Sequence, residues 1–355
     1  MGRRQIGVLR ILCAELIEPI LKRLPASTRT LVIEPDGPLA FLNFGTLMAE
    51  DGKFLAEKYN LKYVACGRDM LAQSPTETTD RTIVAFGNPA YSGGPFEETQ
   101  LAGGIARMVM RSAERQEFRG WQLAPLPGTE RELEFLKEGA APWRLKVKGY
   151  KGEVATEAEL RSIQHPFILH LATHGRLLPD EELTSTKIPP LGLLEERKPM
   201  TLMNPMQRSV LALAGAQTTL DAWKRGEIPP TENDGILMAE EVGTLNLNGT
   251  WLVVLSACDT GLGEMRAGEG VLGLRRGFVQ AGAQNLLMTL WPVSDKWTVE
   301  IMKDFYDRAM QTGDAPQALA DVQRDRLVRL KKEKGALLAA RIAGPFILTF
   351  QGGGR

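Results

Sequence analysis

The sequence predicts an α/β protein built on a mostly parallel sheet flanked by helices. Short β-branched and leucine runs alternate with helical segments along its 355 residues, a pattern that implies right-handed crossovers. Two of the runs, Phe167-Ile-Leu-His-Leu-Ala and Trp251-Leu-Val-Val-Leu, are uninterrupted, as strands buried on both faces are. An apolar share of 43% supplies a core for one large or two ordinary domains.

The elements follow in order. Leu12, Leu16, Ile20, Leu21 and Leu24 fall at helical spacing, with Pro19 as a kink. Residues 30–34, 61–65 and 82–86 read as strands, with Pro35-Asp-Gly-Pro38 a tight turn into 39–42 and Gly87-Asn-Pro89 a stop. A helical, partly polar stretch covers about 97–115. Pro125-Leu-Pro-Gly128 marks a boundary, dividing an α/β part over 1–124 from a second over 125–355. Thr129-x-x-Glu132 and Thr156-x-x-Glu159 read as capping boxes opening helices, with a short strand at 145–147 between them. After the 167–175 strand comes a long irregular loop, about 176–230, holding one apolar segment at 209–215. A loop of that length is usually functional or mobile. Asp234-Gly-Ile-Leu-Met-Ala-Glu-Glu241 reads as a capped helix. The 251–258 strand follows, then a helix over 270–281, a strand at 285–290, helices at 296–310 and 315–332, and a last strand at 346–350.

Composition excludes several classes. Lys+Arg and Asp+Glu number 43 each, which argues against a nucleic-acid binder. No run of about 18 apolar residues offers a membrane span. Cys13, Cys66 and Cys258 cannot all pair and lack C-x-x-C spacing, which favours free thiols in a reducing compartment. The start, Met1-Gly-Arg-Arg, has Ile6 where a myristoylation signal needs Ser or Thr. Its charges break any signal-peptide core. A cytoplasmic chain is expected, and further domains upstream are compatible with it.

One strand ends in His174-Gly175 and another in Cys258-Asp259. In open parallel sheets the ligand crevice lies at the carboxyl ends of the strands. A thiol must ionise to attack a carbonyl, and an imidazole within reach takes its proton and returns it to the leaving amine. An oxyanion then needs backbone N–H donors, for which Gly175 and Cys258 are the candidates. The three histidines, His165, His170 and His174, all lie within ten residues. Residues 1–164 therefore hold no Cys–His site of their own. His170 shares the strand face of His174 by alternation and reads as a satisfied core or supporting residue, and His165 as a surface one.

Two rival motifs fail. His170-x-x-x-His174 lacks the His-Glu-x-x-His form and a third zinc ligand. Gly268-Glu-Gly270-Val-Leu-Gly273 matches a dinucleotide fingerprint literally, but it does not follow its strand directly. Neither a metal nor a cofactor is expected.

His170-Leu-Ala-Thr-His-Gly175, Leu255-Ser-Ala-Cys-Asp-Thr-Gly-Leu-Gly263 and Gly268-Glu-Gly270 together resemble the CHAT family of caspase-like cysteine proteases. Gly277-Phe278, Leu290-Trp-Pro-Val-Ser-Asp295, Glu34-Pro-Asp-Gly-Pro-Leu39 and Leu126-Pro-Gly-Thr129 extend the resemblance over most of the chain. It implies a caspase-hemoglobinase fold and a His174/Cys258 dyad acting through a thioester acyl-enzyme. It also implies that 1–124 is a degenerate caspase-like unit and 125–355 the active one. Members are typically bacterial, often carry tetratricopeptide repeats or another sensor, and act under partner control. No such repeat is visible here, and Arg341-Ile-Ala-Gly-Pro-Phe346 stands where the family has Trp-Ala before its last strand.

The expected function is thus a cysteine endopeptidase cleaving a protein or peptide substrate, activated by a regulatory protein or sensor in a bacterial stress or defence pathway. The alternative is a catalytically silent scaffold; a nucleotide-binding α/β enzyme is a distant third. Asp259 either lines the primary specificity pocket, favouring Arg or Lys before the scissile bond, or caps its turn. Trp291 and Asp295 are expected to wall the substrate groove.

Overall fold

The computed structural model describes residues 2–71, 78–93, 121–177, 206, 209–225, 227, 233–256, 270–291 and 293–352. Eleven strands lie among them. These are β1 Thr30–Ile33, β2 Asn60–Tyr63, β3 Thr82–Pro89, β4 Lys146–Gly152, β5 Ile168–Ala172, β6 Gly175–Leu177, β7 Ser209–Ala212, β8 Ile236–Met238, β9 Leu252–Leu255, β10 Asn285–Thr289 and β11 Phe346–Phe350. Eight form one sheet in the order β1-β2-β11-β10-β9-β5-β3-β4, and β6-β7-β8 form a second, small one. Every pairing in the large sheet is parallel except β10 with β11. The sheet draws on both sides of residue 125: β1 and β2 make one wing, and β3 lies between β5 and β4.

The central strands are covered on both faces. Leu169, Leu171, Val253 and Leu255 join one apolar cluster with Leu274 and Phe278. Ile168, Leu252 and Val254 join the other with Phe305, Tyr306 and Leu133. This is the period-2 alternation expected of a strand between two helix layers, each such side chain contributing about 1.5–3 kcal/mol on burial. Between β10 and β11 the chain runs through the helices Asp295–Thr312, Ala315–Lys334 and Ala336–Ala343, and β11 then pairs antiparallel with β10.

Several sequence expectations change. The 234–241 stretch is not a helix but β8 followed by a single turn, Ala239–Val242. Gly235 adopts φ +82°, and a Cβ there would sit 2.4 Å from the Ala216 nitrogen. Asp234 Oδ1 accepts from the Ile236 N–H rather than capping a helix, and that role falls to Glu241, whose Oε2 accepts from the Met238 N–H. The apolar segment at 209–215 resolves as a strand, buried on both faces and hydrogen-bonded to β6 and β8. A helix, Ala216–Lys224, follows it, so the 176–230 stretch is not wholly irregular. β3 runs on to Pro89 through a bulge. Residues 37–41 form a 3-10 turn, and a further helix, Ala336–Ala343, precedes β11. The kink expected at Pro19 takes the form of a π-helical segment, Cys13–Ile17. The 97–115 helix lies outside the described residues.

Candidate active site at the carboxyl edge of the sheet

β5 and β9 are neighbours, as a Cys–His pair requires. Ile168 stands opposite Leu252 and Leu171 opposite Leu255, an offset of 84 positions. The same offset separates His174 from Cys258 in the sequence. Among the described residues the last cross-strand bond joins the Ser256 N–H to the Leu171 carbonyl at 2.9 Å. Cys258 and Asp259 lie outside the described residues.

His174 follows the end of β5 and is buried. Its Nε2 lies 2.7 Å from the Ala124 carbonyl. A carbonyl only accepts, so Nε2 carries the hydrogen and Nδ1 carries the lone pair of the neutral ring. Tyr91 and Trp121 flank the imidazole, with centroids at 5.1 and 6.4 Å. Arg176 lies over the Trp121 ring at 5.9 Å. The preceding turn is pinned in a relay: the Thr173 hydroxyl donates to the Ala212 carbonyl, which leaves the Tyr91 hydroxyl, 3.0 Å away, to donate to Thr173.

Gly175 opens β6 opposite Leu211. The Ala212 N–H donates to the His174 carbonyl at 2.8 Å. In an antiparallel ladder hydrogen-bonded pairs alternate with non-bonded ones, so Gly175 faces Leu211 in a non-bonded pair and its N–H points away from β7. Trp291 follows β10 at the same carboxyl edge, with its indole N–H donating to the Arg341 carbonyl at 3.1 Å. Asp295 is the first residue of the Asp295–Thr312 helix.

His170 is fully buried and fully engaged, as the sequence suggests, but its partners were not foreseeable. Its Nε2 lies 3.1 Å from Glu132 Oε2 and its Nδ1 3.0 Å from the Tyr306 hydroxyl. Glu132 Oε1 accepts from the Ser256 hydroxyl at 3.0 Å. Burial, and after it the charge of Glu132, holds the Tyr306 phenol well above its ordinary pKa. The phenol therefore donates to Nδ1, and Nε2–H donates to the carboxylate. Glu132 thus caps no helix. The Pro127–Ala140 helix starts before Thr129, whose hydroxyl donates to the Leu126 carbonyl and accepts from the Asn88 N–H. His165 is half-buried, its Nδ1 2.8 Å from the Asn248 carbonyl.

Sequence reasoning missed Ala124, Tyr91, Trp121, Glu132 and Tyr306. The first contributes a backbone carbonyl, which no side-chain pattern announces. Glu132 left a signal, an acidic residue at a helical position among apolar neighbours.

Among the described residues no group of three or more His, Cys, Asp and Glu side chains is arranged to hold a metal, and no helix is long and apolar enough to cross a membrane.

Comparison with known proteins matches residues 7–335 to the family model described as CHAT domain. Tetratricopeptide repeat protein 28 of Homo sapiens is 25% identical over 303 residues, covering 83% of this chain and 11% of that protein. Its Mus musculus counterpart is 26% identical over 307 residues, with the same coverage. The chain thus spans about a tenth of the length of the curated relatives it matches.

Proposed function

The chain belongs to the CHAT domain family, a caspase-like family, and from that premise we propose that it is a cysteine endopeptidase acting through His174 and Cys258. The observation that carries the proposal is the register of β5 against β9, whose offset equals the separation of the two residues in sequence. The tautomer of His174 supports it too, because Nδ1 is the basic nitrogen.

In this reading His174 Nδ1 takes the Cys258 thiol proton, and the thiolate attacks the scissile carbonyl. The N–H groups of Gly175 and Cys258 bind the oxyanion. The imidazolium returns its proton to the leaving amine as the C–N bond breaks, leaving a thioester. Water, deprotonated by the same nitrogen, then cleaves the thioester to the acid and regenerates the thiol. The Ala124 carbonyl keeps the ring turned for both transfers. Asp259 selects Arg or Lys before the scissile bond, with Trp291 and Asp295 along the substrate groove. A regulatory protein or sensor controls the activity, in keeping with tetratricopeptide repeats in the relatives' names.

The test is labelling by a peptidyl acyloxymethyl ketone, followed by mapping of cleaved proteins. Modification of Cys258 that disappears in His174→Ala, with new protein termini absent from Cys258→Ala, is the expected result. No labelling and no new termini in wild type under any activating condition would favour a scaffold. A preference for acidic or apolar fluorogenic peptides over Arg and Lys ones would end the role given to Asp259.

A further inference from the structure

The dyad chemistry leaves Glu132 without a part, although it joins the two strands that carry the dyad. Resting on the peptidase reading and deepening it, we propose that Glu132 is a positioning residue, a buried carboxylate that staples the ends of β5 and β9 and sets where the chain leaves them toward His174 and Cys258.

Each carboxylate oxygen serves one strand. Oε2 takes the Nε2–H of His170 in β5, and Oε1 takes the hydroxyl of Ser256, the residue after β9. The Ser256 N–H to Leu171 carbonyl bond at 2.9 Å runs beside it, so side chain and backbone tie the same two heights together. His174 lies four positions beyond one anchor and Cys258 two beyond the other. A misplacement of about 1 Å between reacting groups costs on the order of 10²-fold in rate.

The support under Glu132 is rigid. Its helix lies so close to β3 that a Cβ on Gly87 would come within 2.5 Å of Leu133 Cδ1. The helix start is tied to the end of β3, the Leu126 N–H donating to Asn88 Oδ1 and the Asn88 N–H to Thr129 Oγ1. From the neighbouring helix of the same layer, Asp295–Thr312, Tyr306 closes the network, stacked on Trp143 at 5.6 Å. Glu132 is 3% exposed, and among the described residues its only ion-pair contact is His170. A buried carboxylate is a poor way to gain stability, since apolar groups of the same volume serve at least as well. Two donors on two strands give it a use that no apolar side chain replaces.

The test reads the rate at which iodoacetamide alkylates Cys258, followed on its peptide by mass spectrometry across pH. In wild type a His174-paired thiol reacts well below the ordinary cysteine range of about 8.5. Glu132→Leu keeps the approximate volume but offers no acceptor, so both arms must break. The expected result is a fall of about 10–100-fold near pH 7, with the profile displaced toward that of a free thiol and cooperative unfolding retained. A folded Glu132→Leu protein with the wild-type profile overturns the proposal. Should that variant not fold, Ser256→Ala decides, since it keeps the carboxylate and cuts a single arm. A loss of about 2–10-fold is then expected, and an unchanged profile overturns the proposal. A wild-type profile identical to that of His174→Ala refutes the dyad itself, and the staple with it, a result distinct from either variant's.

Discussion

His170 and His174 stand four residues apart on one strand and its extension, are both buried, and are held in different ways. His170 sits within the ladder, where a helix layer covers it, and side chains from two helices take both its nitrogens. His174 sits past the last rung, where the chain turns, with one nitrogen bound to a backbone carbonyl and aromatic rings at its faces. A histidine with both nitrogens occupied within the core is a structural group. One whose Nε2–H is held by a backbone carbonyl is oriented so that Nδ1 is the nitrogen able to act as a base. Residue type is shared; distance from the strand end makes the difference.

The contrast breaks most readily at His174. Its replacement by alanine should lower kcat/KM by about 10³–10⁴ or more, while urea unfolding shifts by no more than about 2 kcal/mol. A peptidase that survives this change has another base. His170→Leu should differ by lowering stability directly, leaving Glu132 and Tyr306 without their shared partner at a cost of about 3–5 kcal/mol in the same unfolding experiment. A cost below about 1 kcal/mol would mean the network is not what makes that burial tolerable.

Arg275 sharpens the same point as a control. It is 2% exposed, on the Gly270–Gln280 helix, with no hydrogen-bond partner for Nε or Nη2 among the described residues. Burial alone pushes its pKa down to about 10. At neutral pH the guanidinium is charged in both folded and unfolded chains, so the folded state carries the penalty. The penalty lifts only as pH rises through about 10, where the folded state releases its proton first. Arg275→Met should therefore stabilise the protein at pH 7, by about 1–3 kcal/mol. The smallest effect belongs to the His174 side: Tyr91→Phe removes the hydroxyl bound to Thr173 and should cost about 1 kcal/mol, read by thermal melting.

The parts of the fold that depend on local pattern were legible in the sequence. The runs containing β5 and β9 announce themselves because strands buried on both faces admit no polar alternation. His174 and Gly175 followed from where such a run stops. What failed depended on partners distant in sequence. Glu132 satisfies the spacing of a capping box, and only the helix starting earlier, with His170 and Ser256 alongside, gives its side chain another use. Residues 234–241 carry helix-like end signals, yet pairing with β7 draws 236–238 into a strand. Ala124 acts through its main chain, about which its identity says nothing.

The place of β11 has a consequence for how the chain is made. Among the described residues the β1–β2 pair joins the rest of the large sheet through β11, with Tyr63 opposite Thr349. The β1–β2 wing emerges early in synthesis and waits for the strand that docks it. At about 5–20 residues per second that wait lasts on the order of 15–60 s. Until then β2 offers an unpaired edge, the kind of surface that nascent-chain chaperones cover. The carboxyl edge of the sheet can form before its far wing is sealed, so the order of assembly puts β5 and β9 first and closure of the sheet last.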